Sequence, residues 1–220
     1  MPLMNLFVEY DKKKAKRRAI EDLIDTSSHN KDFYVLLVGA VILAIGGIFA
    51  DSIPVLIASM IVAPLAYPIL AIGLGITVGD WRLVGRVTML FGVSCVIALA
   101  IAMLAAVLFD ADRVKDVYIT FTGNRYLAVV VALVAGAIAA YGMIRPKVAS
   151  VITGVAIAVS LMPPLVATGV GYASGDTTLG GDALIVFLLN IAGILLASVA
   201  VFTILGMRKE YKKIKRIGKH

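Results

Sequence analysis

IASMIVAPLAYPILAIGLGITVGD at residues 57–80 and IAVSLMPPLVATGVGYASGD at residues 157–176 are two versions of one pattern. At an offset of 100, Ile57, Ala58, Pro64 and Leu65 fall on Ile157, Ala158, Pro164 and Leu165. Past the proline the offset becomes 96, and Gly73, Gly75, Gly79 and Asp80 fall on Gly169, Gly171, Gly175 and Asp176. A change of four residues is close to one helical turn of ~3.6, so it roughly preserves a helix face. Prolines number only seven, and the pattern GxGxxxGD occurs nowhere else in the chain. The match runs on through Leu83 with Leu179, Gly85 with Gly181 and Phe91 with Phe187, and it sets polar Ser94 opposite Asn190.

Both segments sit in uncharged stretches too long for a soluble core. Hydrophobic residues make up 60% of the 220-residue chain and charged residues 16%, against ~45–50% and ~25% in soluble domains. Six stretches carry no charge at all: 33–50, 53–79, 87–109, 126–144, 148–174 and 183–207. A spanning helix needs ~20 apolar residues. Barrel strands are about half that length with alternating polarity, and hydrocarbon admits no other backbone structure. The expected fold is therefore all-α, a polytopic membrane protein of six transmembrane helices.

Lys and Arg collect on the cytoplasmic side of membrane proteins. Seven lie in the N-terminal tail and seven in the C-terminal tail. Two lie between spans 2 and 3 (Arg82, Arg86) and two between spans 4 and 5 (Arg145, Lys147). The opposite side holds only Arg113, Lys115 and Arg125. The chain then divides into a basic cytoplasmic amphipathic segment (1–32), a first three-helix repeat (33–109) and an external loop (110–125). A second three-helix repeat (126–207) and a basic cytoplasmic tail (208–220) follow. The expectation is a multi-pass protein of the plasma membrane with both termini cytoplasmic.

The same bias accounts for the net charge of +7 without nucleic acid as a partner. The stripe Ala15, Ala19, Ile20, Leu23 and Ile24 reads as a helix lying along anionic lipid headgroups, with docking to a partner as the alternative. No signal-peptide pattern precedes the first apolar run.

Three spans per repeat is an odd number, so the second repeat enters from the opposite side. The expected architecture is a 3+3 inverted repeat with a proline-broken second helix in each half, the sequence signature of a transporter's binding site. Proline removes its own donor and displaces the carbonyl four residues back. Pro64 would free the carbonyl of Met60, and Pro163 and Pro164 those of Val159 and Ser160. Each half-helix that starts at a break also presents backbone donors with positive dipole character. The neutral side chains Ser59, Tyr67, Ser94, Ser160, Thr168 and Asn190 complete the candidate substrate- or ion-binding set. Asn190 stands out because a buried amide must find partners or cost ~1–3 kcal/mol.

IASMIVAPLAYPILAIGLGITVGD, GVAIAVSLMPPLVATGVG and FLLNIAGILLA resemble the signature stretches of the "uncharacterised hydrophobic domain" family, also called domain of unknown function 389. The resemblance covers residues 33–207 and implies an integral membrane protein of prokaryotic type with no established substrate. This sequence departs from the family pattern at Tyr67, where Gly is common, and at Met162, where Val is common.

No Asp, Glu, Lys, Arg or His falls inside the six stretches, whereas proton-coupled pumps usually carry one. The expected function is a transporter or channel for a small ion or small neutral solute, held by backbone groups at two breaks near the midplane. The alternative is a structural or signalling subunit without transport. An enzyme is not expected: Asp80 and Asp176 fall on opposite faces and cannot share a proton as a dyad, and GxGxxxGD is not the dinucleotide fingerprint. One cysteine and two distant histidines offer no metal site, and no cofactor is expected. Small-residue faces such as Gly136/Ala140 point to a homo-oligomer.

Overall fold

The computed structural model describes residues 14–25, 30–109, 125–144 and 161–217, and the regular structure among them is α-helical throughout. In chain order the helices are α1 (14–25), α2 (Lys31–Phe49), α3 (Ile53–Val62), α4 (Ala66–Val78) and α5 (Trp81–Leu108). They continue as α6 (Arg125–Ile144), α7 (161–173), α8 (Thr177–Ile204) and α9 (Met207–Ile217). Four of them, α2, α5, α6 and α8, are long and apolar enough to cross a membrane. α3 with α4, bent at a short break, passes the same test only as a pair, as a broken span or a re-entrant loop. Of the expected span at 148–174, only residues 161–174 are described. Val159 and Ser160 lie outside the described residues.

The break falls where the local chemistry requires it. Proline pushes its predecessor out of the helical region, and Ala63, before Pro64, has φ −62° and ψ 123°. Its N–H still reaches the Ser59 carbonyl at 3.1 Å, so α3 ends there. α4 restarts at Ala66, and the two segments are bent by 47°. α5 begins at Trp81 and α8 at Thr177, earlier than the uncharged stretches suggest. Arg82, Arg86 and Asp182 occupy exposed or partly exposed positions on the first turns, where charge is compatible with a helix.

Two helical hairpins share their construction. α4 ends at Gly79 (φ 77°), and the helix of 161–173 is followed by Gly175 (φ 79°). Both glycines sit in the left-handed region that suits a residue without Cβ. Asp80 then accepts a hydrogen bond from the Leu83 N–H at 3.1 Å, and Asp176 accepts one from the Leu179 N–H at 2.9 Å. Each aspartate caps a helix of 28 residues. A Cβ at Gly75 would meet Val84, and one at Gly171 would meet Gly180, so the turns are also closed by equivalent close approaches.

Packing between the hairpins is reciprocal. Gly73 of α4 lies against Ser198 and Leu195 of α8, and Gly169 of α7 lies against Ala102 and Leu99 of α5. A Cβ on Gly169 would come within 2.7 Å of the Ala102 Cβ. The rings of Phe91 and Phe187 stack with centroids 6.4 Å apart. α6 packs along α8 so tightly that a Cβ on Gly136 would sit 2.6 Å from the Ile194 Cα. Such small-residue contacts are the usual adhesive between helices in lipid, where apolar side chains gain nothing by leaving the tails. The outer faces remain apolar: Met89, Val96 and Val107 of α5 and Leu196 and Ile204 of α8 are all exposed.

The described turns sort to two ends. At one end Lys16 of α1 donates to the Leu205 carbonyl (2.6 Å), and Tyr211 of α9 donates to Asp80 Oδ2 (2.8 Å). At the other end Phe49 meets Phe109, and Arg125 pairs with Asp182. α1 departs from the expectation of a stripe lying on headgroups. Ala19, Ile20 and Leu23 are buried in the core of the protein itself, because a stripe that narrow fits against the bundle and leaves the basic face outward.

Candidate functional site at the broken span

The Pro64 break separates α3 from α4 in a partly buried stretch. Ser59 and Met60 are buried on the last turns of α3, and Pro64, Leu65 and Ala66 are buried through the break. The last-turn carbonyls of a helix have no intrahelical donor, and Pro64 removes the N–H that Met60 would otherwise meet. On the other side, α4 starts at Ala66, and its N-cap residue Leu65 offers no side-chain cap. Pro68 has no N–H, so the donors of the first turn belong to Ala66 and Tyr67. One short segment therefore carries cation-seeking carbonyls and anion-seeking amides without a charged side chain.

Tyr67 departs from the rest of this group. It is 38% exposed and lies on the outward side of the half-helix, while its neighbours Ala66 and Pro68 are buried.

α7 carries the prolines and glycines of the second copy of the sequence pattern. Every residue from 161 to 171 is buried, which marks it as the most enclosed element among those described. Pro163 and Pro164 lie in its first described turn. Thr168 is 2% exposed and donates to the Pro164 carbonyl at 2.7 Å.

Ser94 and Asn190 sit one turn beyond the stacked Phe91 and Phe187, on the same faces of α5 and α8. Their exposures are 0% and 4%. Ser94 donates to the Leu90 carbonyl at 2.8 Å, and Ser59 to the Leu56 carbonyl at 2.6 Å. The buried hydroxyls thus spend their protons on their own helices and keep oxygen lone pairs as acceptors. The structure brings α4 against α8 and α7 against α5, so Thr168 lies beside the α5 contact and Asn190 two turns before the α4 contact.

Ser198 belongs with these buried polar groups and is missing from the sequence-derived set. It is fully buried, donates to the Leu195 carbonyl at 2.9 Å and faces Gly73. Its counterpart at the offset of 96 is Ala102, so the repeat carried no polar pair to reveal it. The signal present was its spacing of eight residues from Asn190, two turns along one face.

Fold and site together define a multi-pass helical membrane protein with a proline break between the short helices α3 and α4. The chain belongs to a family described as a domain of unknown function (DUF389), whose family model matches residues 60–196. That match includes the Pro64 break, both Gly-Asp turns and Asn190. The chain is also similar to an uncharacterised protein of Methanocaldococcus jannaschii, 30% identical over 207 residues. The similarity covers 90% of this chain and 63% of that protein, so the chain spans less than two thirds of its relative. No solved structure matches it.

Proposed function

We propose that the protein is a transporter or channel for a small ion or small neutral solute, bound by backbone groups at two broken helices related by an inverted repeat. The observation that carries this reading is the 47° break at Pro64, where carbonyls of α3 and amides of α4 lose their partners within the helix. Irregular backbone at membrane depth persists only where protein or a water-filled path satisfies it. The proposed binding set is Ser59, Met60, Pro64, Tyr67, Ser94, Val159, Ser160, Pro163, Pro164, Thr168 and Asn190. Ser198 joins it.

The reciprocal packing supports the repeat. Gly73 with Ser198 and Gly169 with Ala102 exchange under a single offset, and Phe91 meets its own counterpart Phe187. Self-pairing of equivalent residues is the mark of a two-fold relation. Asp80 at the start of α5 touches Tyr211 beyond the end of α8, so the two long helices run in opposite directions. The axis would then lie across the helices, in the membrane plane, with one six-span unit of two inverted halves. The end carrying α1 and α9 is the cytoplasmic one under the positive-inside bias, in a plasma membrane. The Gly136/Ala140 face of α6 is already buried within the protein, so a homo-oligomer would form through other apolar faces. No enzymatic chemistry is part of this reading.

A structural or signalling role is favoured by one other observation, the docking of α1 and α9 onto the bundle through Lys16 and Tyr211. Flux assays on purified protein in proteoliposomes, across a panel of small ions and solutes, separate the two. Transport requires flux that Asn190→Leu abolishes while the variant still folds. A silent wild type across the whole panel favours the signalling reading.

A further inference from the structure

Trp81 is the one tryptophan of the chain and is 70% exposed at the first residue of α5. Indole rings gather at the headgroup level of a bilayer, so Trp81 marks that depth at its end of the bundle. The preceding residue, Asp80, accepts the Tyr211 hydroxyl at 2.8 Å and so ties α9 to the same level. α9 is sharply two-sided. Met207 is fully buried and Tyr211 and Ile214 pack on the core, while Arg208, Lys209, Lys212 and Lys213 are exposed. Asp176, the counterpart of Asp80, caps its own helix, but among the described residues no tail helix is tied to it.

We propose that α9, held in the headgroup plane by the Tyr211–Asp80 contact, is a pre-positioned binding surface for anionic phospholipids. Arg208, Lys209, Lys212 and Lys213 contact the lipid phosphates, and Tyr211 is a positioning residue. The apolar side of α9 is spent on the core of the protein, so no hydrophobic face remains to seat a soluble protein helix. What it offers is a row of cations at headgroup depth. Among the described residues only Lys213 of that row is paired within α9, with Glu210 at 3.4 Å. Such a row recognises charge in a plane and little shape. The inference goes beyond the transport reading and stands without it.

The test uses the full chain in nanodiscs of equimolar phosphatidylcholine and phosphatidylglycerol, with the lipid retained on stepwise delipidation counted by mass spectrometry. Each basic residue near a charged surface contributes about fivefold. The variant R208Q/K209Q/K212Q/K213Q, altered only on an exposed face, should lose phosphatidylglycerol enrichment by at least about tenfold. Tyr211→Phe removes no charge and should lower the enrichment about threefold by releasing α9, a change that charge alone would not give. Wild-type enrichment in the quadruple variant overturns the proposal, and wild-type enrichment in a folded Tyr211→Phe overturns the positioning role. Should Tyr211→Phe fail to fold, the quadruple variant decides alone. Binding of soluble polyglutamate in detergent that phosphatidylglycerol does not displace would also overturn it, in favour of an acidic protein partner.

Discussion

Phe91 and Phe187 lie with their rings 11° from parallel and 6.4 Å apart, although 96 positions separate them in the chain. Each occupies the same place in its own helix, one turn before a buried polar residue, Ser94 in one case and Asn190 in the other. Stacked aromatic pairs contribute ~0.5–1.5 kcal/mol beyond area burial. A double-mutant cycle with Phe91→Ala, Phe187→Ala and the double variant, read by reversible unfolding in mixed micelles, should return a coupling energy in that range. A coupling indistinguishable from zero would reduce the stack to coincidental proximity.

The glycines divide cleanly into two kinds. Gly136→Ala would drive a Cβ to 2.6 Å from the Ile194 Cα, which is backbone and cannot step aside. Overpacking of this kind costs about 1–3 kcal/mol. Gly39 and Gly46 on α2 have nothing within 4 Å of a new Cβ, and alanine there should be neutral or slightly stabilising through helix propensity. Melting temperatures of the three single variants check the ordering.

Asp80 and Asp176 cap equivalent helices, and removing such a cap costs typically ~1 kcal/mol. Asp80→Ala should cost more than Asp176→Ala, because it also removes the hydrogen bond from the Tyr211 hydroxyl. Equal losses in thermal unfolding would show that the α9 contact adds nothing.

The same contact has a signature in pH. The Tyr211 hydroxyl is pushed up to about 12, first by burial, then by its hydrogen bond to Asp80 and the charge of that carboxylate, with Arg86 opposing. A tyrosine pKa raised by folding stabilises fully below its unfolded value, near 10, and that contribution disappears as pH rises toward 12. Ultraviolet titration should find one late-titrating tyrosine that Asp80→Asn brings earlier. An unchanged profile in Asp80→Asn would refute the assignment.

The two-ended arrangement of turns makes a topology prediction. With Cys95 replaced by serine, cysteines at Asp51 and Thr178 should react with an impermeant thiol reagent from outside intact cells. A cysteine at Arg208 should not. External labelling at position 208 would invert or dismantle the proposed orientation.

Much of this arrangement is legible in the sequence because its causes are local. Pro64 and the residue before it specify a break, Gly79 and Gly175 specify left-handed turns, and the aspartates that follow specify caps. Long uncharged runs mark spans for the same reason. Other features depend on tertiary neighbours. Tyr67 belongs to the break by position, yet it turns outward, since which face of a short half-helix is buried depends on what packs beside it. Ser198 reads as one small residue among many until α4 lies against it. The apolar stripe of α1 suits either a lipid surface or a protein surface, and only the bundle's own exposed core edge selects the second.

The most direct test of the proposed binding site is a high-resolution experimental map of the protein in lipid, inspected for non-protein density at the Pro64 break. The account predicts an ion, water or solute within hydrogen-bonding reach of the Met60 carbonyl or the Ala66 and Tyr67 amides, with Asn190 and Ser198 near the same path. A dry contact of apolar side chains filling the space between α3 and α4 would contradict it.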